Sequence, residues 1–199
     1  MTILYAVKGN LYINITNRCP CNCTFCIRHN GDSAYGSDSL WLEREPTVPE
    51  IKAEFEKYGD LSQFGEVVFC GYGEPMERAE DVAEIGRYVK EKYGIKVRLN
   101  TNGLSDRING KPTAHLLKGA VDIVSVSLNS GSSETYNAVT RPKWNDAFDS
   151  MLDFAVECKK YVDKVMFTVV DVIPEDDIER CRKLSDKLGI ELRVRPYDS

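Results

Sequence analysis

The chain has 199 residues, 42% hydrophobic and 29% charged, with 26 Lys plus Arg against 31 Asp plus Glu and a formal net charge of −5. That length suits one domain with an ordinary core, and the acidic balance argues against a dedicated nucleic-acid module, which carries a basic footprint. No apolar run approaches the roughly 18 residues of a membrane span, and the opening MTILYAV lacks the basic start and cleavage site of a signal peptide. The expectation is one domain over residues 1–199, cytoplasmic, with no membrane association.

Short stretches rich in Val and Ile alternate with amphipathic ones along the whole chain. A first strand is expected at Leu11–Thr16, followed by a cysteine-rich loop over Asn17–Asn30, and a second at Glu66–Cys70. Val82, Ile85, Val89 and Tyr93 then recur at helical spacing, with Gly94 where a C-terminal cap falls. Strands at Lys96–Asn100 and Ile123–Leu128 precede a helix carrying Phe148, Met151, Leu152 and Ala155. A strand at Val165–Asp171, a helix with Ile178, Cys181, Leu184 and Leu188, the cap Gly189 and a last strand at Glu191–Arg195 complete the pattern. Strands with near-continuous apolar character, alternating with helices, imply parallel βα units. A complete eight-stranded barrel takes about 250 residues, so six strands fit an incomplete barrel or an open parallel sheet.

Seven cysteines are present, and four of them, Cys19, Cys21, Cys23 and Cys26, fall within eight residues. An odd count without a secretion signal is a poor disulfide framework, and such clustering points to metal or redox chemistry. Structural zinc favours two separated cysteine or histidine hooks; here one hook exists, and of the two histidines only His29 is near it, His115 being remote. Zinc held with His29 stays open on spacing. Cys19-x3-Cys23-x2-Cys26 offers three thiolates from one loop to a cubane iron–sulfur cluster whose full set is four, leaving one iron open to a small molecule. Cys21 is expected to turn away from the metal. Cys158 and Cys181 read as core residues, and Cys70, at the rim of a strand, as a packed thiol.

In parallel α/β folds ligands gather beyond the carboxyl ends of the strands. The second strand ends in Gly71-Tyr72-Gly73-Glu74-Pro75, the third in Asn100-Thr101-Asn102-Gly103, and the fourth carries Ser125, Ser127 and Asn129 on one face. Each is weak alone; polar groups on a mid-sheet strand still need partners. Arg141, Arg193 and Arg195 offer charge to an anion, or else belong to a solvated surface.

The C-x3-C-x2-C loop after the first strand, with Phe25 before its third cysteine and the GYGEP and NTNG strand ends, resembles the radical S-adenosylmethionine (radical SAM) superfamily over essentially Leu11 to Arg195. The stretches Asn14–Cys19 and Leu40–Pro46 further resemble the short TatD-associated radical SAM proteins. The resemblance implies an α/β fold with a partial six-stranded parallel (β/α)6 barrel. Cys19, Cys23 and Cys26 would hold a [4Fe–4S] cluster whose fourth iron chelates S-adenosylmethionine (SAM). Phe25 would lie beside the adenine; Gly71, Gly73 and Glu74 match the segment that receives the methionine amino group. Asn100, Thr101 and Asn102 match the segment near ribose and methionine, and Ser127 and Asn129 the ribose or carboxylate contacts. Cys21, and Tyr72 interrupting the usual double glycine, depart from the family pattern.

The chemistry implied is one-electron cleavage of SAM to a 5′-deoxyadenosyl radical that abstracts hydrogen from a substrate. Cofactors carry the difficult step while the protein positions them, and no catalytic side chain is singled out. Implied partners are an external flavodoxin- or ferredoxin-like electron donor and a TatD-family hydrolase. The open side of a six-stranded barrel suggests a large or macromolecular substrate. Two other readings stand beside this one: a non-catalytic zinc or iron–sulfur module in which all four clustered cysteines are ligands, and an activator that places a radical on a partner protein.

Overall fold

The computed structural model describes residues 1–34 and 36–197. It opens with a hairpin, β1 (Leu4–Val7) antiparallel to β2 (Asn10–Ile13), turned by Lys8 and Gly9 at φ 45° and 80°. Two positive φ values match the twist of a two-residue hairpin turn to that of its strands. There follow α1 (Val48–Tyr58), β3 (Glu66–Phe69), α2 (Ala79–Tyr93), β4 (Lys96–Thr101), α3 (Ser105–Asn109), β5 (Ile123–Ser127), α4 (Ser133–Thr140), α5 (Ala147–Cys158), β6 (Lys164–Val170), α6 (Glu175–Leu188) and β7 (Glu191–Arg195). The sheet order is the chain order, and β2 through β7 run parallel.

All six expected parallel strands are therefore present, and β1 is an additional edge strand that the apolar pattern did not reveal. Helices α2, α5 and α6 carry the expected apolar stripes, with Gly94 and Gly189 left-handed at the caps of α2 and α6. Helix α1 starts at a capping box in which Thr47 and Glu50 bond each other's backbone, with a proline in the first turn. Cys158 and Cys181 are fully buried in the core.

Alternation along the strands divides the sheet into two faces. Val67, Phe69, Val97, Leu99, Val124 and Phe167 are fully buried beneath the helices, each such side chain stabilising by about 1.5–3 kcal/mol as an upper bound. The other face carries Cys70, Arg98, Asn100, Ser125, Thr168, Arg193 and Arg195, as the register dictates. A parallel sheet covered on both faces is apolar on both; this polar face is a lining instead.

The lining is concave. The positive charge of Arg195 acts on the Cys70 thiol, although four strand spacings, roughly 19 Å in a flat sheet, separate β7 from β3. The Tyr197 hydroxyl meets Asn30 at 3.0 Å, joining the chain beyond β7 to the chain beyond β2. The sheet curls into an incomplete barrel, and this contact crosses the rim of its open side.

Candidate functional site

Beyond β2 the chain leaves the sheet and is gripped along its backbone. The Glu74 N–H donates to the Arg18 carbonyl at 2.8 Å, and the Arg78 guanidinium donates to the carbonyls of Ile15 (2.8 Å) and Pro46 (2.7 Å). Further on, the N–H groups of Asn22 and Thr24 donate to Thr140 (3.0 Å) and Val139 (2.8 Å) at the end of α4, and Lys143 N–H to Pro20 (3.0 Å). An isolated β-bridge joins Cys21 to Pro142. Arg141, exposed and at φ 46°, supplies backbone to this clamp.

Bridged in this way, Cys19, Cys21 and Cys23 share one face by period-two alternation. Cys21 therefore does not turn away from its neighbours, as the sequence had suggested. It is buried, with its thiol bonded between the Cys19 and Cys23 sulfurs. Those bonds hold Cys19 down at about 6 and lower Cys23, while pushing the donor Cys21 far up. Asn102 Nδ2 lies 3.9 Å from both the Cys19 and Cys21 sulfurs. After the turn containing half-buried Phe25, Cys26 Sγ accepts from Arg28 Nε at 3.4 Å. Arg28 escaped the sequence reading; its signal is a cation two residues past the last clustered cysteine. On the outer side, Arg18, Cys19, Arg28, Lys143 and Trp144 line an open cavity of about 470 Å³.

The next two strand ends are locked to each other. Glu74 Oε1 accepts from the Thr101 hydroxyl (2.7 Å) and Met76 N–H (3.0 Å), and Oε2 from Asn102 N–H (2.7 Å). Burial raises this carboxyl to about 8 against the pull of those donors. Thr101 sits on the helix-facing side with Val97 and Leu99, whereas Asn100 and Asn102 face the concavity. The side chains of Glu74 and Thr101 are thus turned toward each other and brace the two turns.

Gly71 and Gly73 answer to close packing. A Cβ on Gly71 would stand 2.1 Å from Asn14 Oδ1, and one on Gly73 2.3 Å from the Thr16 carbonyl. Tyr72 between them packs with Tyr5, Val7 and Leu40, edge-on to Trp41 with ring centroids 5.0 Å apart, and donates to the Gly31 carbonyl at 2.7 Å. Residues 40–46 lie along the stem of the cysteine loop: Asn14 Nδ2 donates to Leu40 O (2.7 Å), Leu42 N–H to Asn17 Oδ1 (3.0 Å) and Thr16 Oγ1 to Glu45 (2.5 Å).

Ser127 and Asn129 lie at the end of β5 on the concave side, Asn129 buried and left-handed at φ 61°. His29 is exposed beyond the cysteines. Among the described residues no three Cys, His, Asp or Glu side chains converge as ligands of a single ion. A cubane asks for something else, one thiolate per iron on separate corners. The chain supplies soft sulfur donors already drawn toward the thiolate, Asn102 and Arg28 as donors to those sulfurs, and at Asn100 a buried Oδ1 with no partner in the concavity. These residues fit a [4Fe–4S] cluster with a small molecule beside it.

Comparison with known proteins agrees. The chain is 28% identical over 169 residues to a GTP 3′,8-cyclase of Lactiplantibacillus plantarum, covering 84% of this chain and 47% of that protein. It is 27% identical over 193 residues to the GTP 3′,8-cyclase of Corynebacterium glutamicum strain R, covering 94% and 48%. The chain thus spans about half the length of these relatives. Its fold matches Streptococcus suis SuiB bound to S-adenosylmethionine with a TM-score of 0.71 and 17% identity, over 96% of this chain and 41% of that one. The description Radical SAM superfamily fits residues 13–186, and the cofactors of that superfamily are a [4Fe–4S] cluster and SAM. With that span matched, and with the cysteine loop clamped where parallel strands present their ligands, the chain belongs to the radical SAM superfamily.

Proposed function

We propose that this protein is a radical SAM enzyme in which Cys19, Cys23 and Cys26 hold a [4Fe–4S] cluster and the concave face of β2–β7 receives SAM and substrate. The bound cofactors supply the one-electron cleavage of SAM that yields a 5′-deoxyadenosyl radical for hydrogen abstraction. The chain's own residues do the positioning. Asn102 donates toward the Cys19 sulfur while Glu74 holds its backbone, and Arg28 donates to Cys26. Asn100, Ser127 and Asn129 offer polar contacts to the ribose and methionine parts, and Phe25 an apolar one to the adenine. The backbone of Gly71 and Gly73 sits at the strand end where the methionine amino group is received.

The observation that carries this reading is a cysteine loop fixed at the carboxyl end of β2, with Asn102 and Arg28 as donors to its sulfurs. Arg28 and Lys143 beside Cys19 give an acidic electron-donor protein an approach to the cluster. Seven free cysteines suit a reducing cytoplasm. The contacts between residues 14–17 and 40–45 make one unit of the two stretches that resemble the TatD-associated subgroup, which keeps that placement and a TatD-family partner as the finer reading. The names of the relatives make nucleotides the first substrates to try.

The test is anaerobic. Protein reconstituted with iron and sulfide, reduced with dithionite and given SAM forms 5′-deoxyadenosine, and Cys26→Ser does not. A reconstituted cluster that leaves SAM intact overturns the reading. The position of the Cys21 thiol between Cys19 and Cys23 favours one alternative, a closed four-cysteine metal module, which requires Cys21→Ser to lose its metal.

A further inference from the structure

The concave face carries charge that the cysteine site does not use. Cys70 and Asn100 follow the paired residues Phe69 and Leu99, so they stand side by side with Arg98 on the same face of β4. Arg98 bonds Glu66 at 2.7 Å, which leaves its Nε buried with no acceptor. The neighbouring Asn100 Oδ1 is buried with no donor. From the far edge of the sheet, Arg193 and Arg195 share this face opposite Thr168 and Val170. Among the described residues the ion pair on β7 is made by Glu191, with Lys164 at 2.7 Å, and it leaves both arginines without a carboxylate. The charges of Arg195 and Arg98 both act on Cys70. Two guanidiniums from strands three apart thus converge over one patch of the lining, in a chain of net charge −5.

We propose that Arg98 and Arg195, assisted by Arg193, bind the anionic group of the substrate, a carboxylate or phosphate. Guanidinium is the side chain suited to such oxyanions, through paired N–H donors in a fixed fork. The unpartnered Arg98 Nε is a donor lacking its acceptor. That this anion belongs to a radical SAM substrate rests on the function proposed above; the anion site itself does not.

Calorimetric titration of the purified chain with sodium pyrophosphate and, separately, with citrate distinguishes phosphate from carboxylate. One of them binds the wild type, more weakly as salt is raised. Arg195→Gln weakens that binding about tenfold or more, the scale of a lost charge-assisted hydrogen bond, whereas Lys52→Gln on the outer helix α1 matches the wild type. Because Arg98→Gln strands Glu66, the double variant Arg98→Gln/Glu66→Gln is the second probe, with a loss of the same size expected. Equal binding by wild type and Arg195→Gln, or binding of neither anion, overturns the proposal. So does loss of SAM, measured by equilibrium dialysis, in place of loss of the added anion, since these arginines then hold the cofactor's carboxylate. A wild type that binds the anion through Arg195 yet forms no 5′-deoxyadenosine sinks the radical SAM reading and leaves the anion site standing. Production of 5′-deoxyadenosine without Arg195-dependent binding does the reverse.

Discussion

The Glu74 carboxylate accepts the backbone N–H of Asn102 at 2.7 Å, tying the turn after β3 to the end of β4. Asn102 is also the residue whose amide reaches the Cys19 sulfur. One buried acid therefore connects two strand ends to the cysteine loop.

That acid gives the fold a pH dependence. Its folded value, raised to about 8 from an ordinary 4.5, means the folded state holds the proton more tightly than the unfolded one. The contribution is fully present below about pH 4.5 and is lost as pH rises through about 8. Glu74→Gln lacks this slope. It costs about 1–3 kcal/mol near pH 5 through a mismatched donor, and urea midpoints of wild type and variant converge as pH rises toward 8. A constant gap across that window contradicts the assignment.

Gly73→Ala places a Cβ against two backbone carbonyls, 2.3 Å from Thr16 O and 2.7 Å from Arg18 O. Backbone yields little, so a loss of about 1–3 kcal/mol is expected, with lower iron content after reconstitution because Arg18 adjoins Cys19. Wild-type stability and iron content in the variant would mean that the stem of the loop is free to move.

Tyr72→Phe deletes only the hydroxyl bonded to the Gly31 carbonyl. Stability of the metal-free protein falls by about 0.5–1.5 kcal/mol, and iron loading stays as in wild type, since the ring and its contact with Trp41 are kept. Loss of the cluster in Tyr72→Phe would place that ring in the site.

The parallel core was legible because Val67, Phe69, Val97, Leu99, Val124 and Phe167 sit in short, near-continuous apolar runs between helices whose apolar stripes are local. The edge strand β1 was not. LYAV and LYIN around Lys8-Gly9 form a hairpin signal, but the stretch is short and Lys8 is an uncommon residue at positive φ. Of the site, the thiols and the residues at the strand ends were readable from spacing. The partners of Glu74 and Thr101 were not, because they meet across 27 residues of chain and local pattern carries no such pairing. The orientation of Cys21 depends likewise on Pro142, more than a hundred residues away along the chain.

The most direct test of the central claim is electron paramagnetic resonance of the reconstituted, dithionite-reduced protein with and without SAM, in wild type and in serine variants of the four clustered cysteines. The account predicts a [4Fe–4S] signal that changes on adding SAM in wild type and in Cys21→Ser, and no such cluster in Cys19→Ser, Cys23→Ser or Cys26→Ser. A signal indifferent to SAM in wild type, together with its loss in Cys21→Ser, would contradict three-thiolate ligation and make Cys21 the fourth ligand of a closed site.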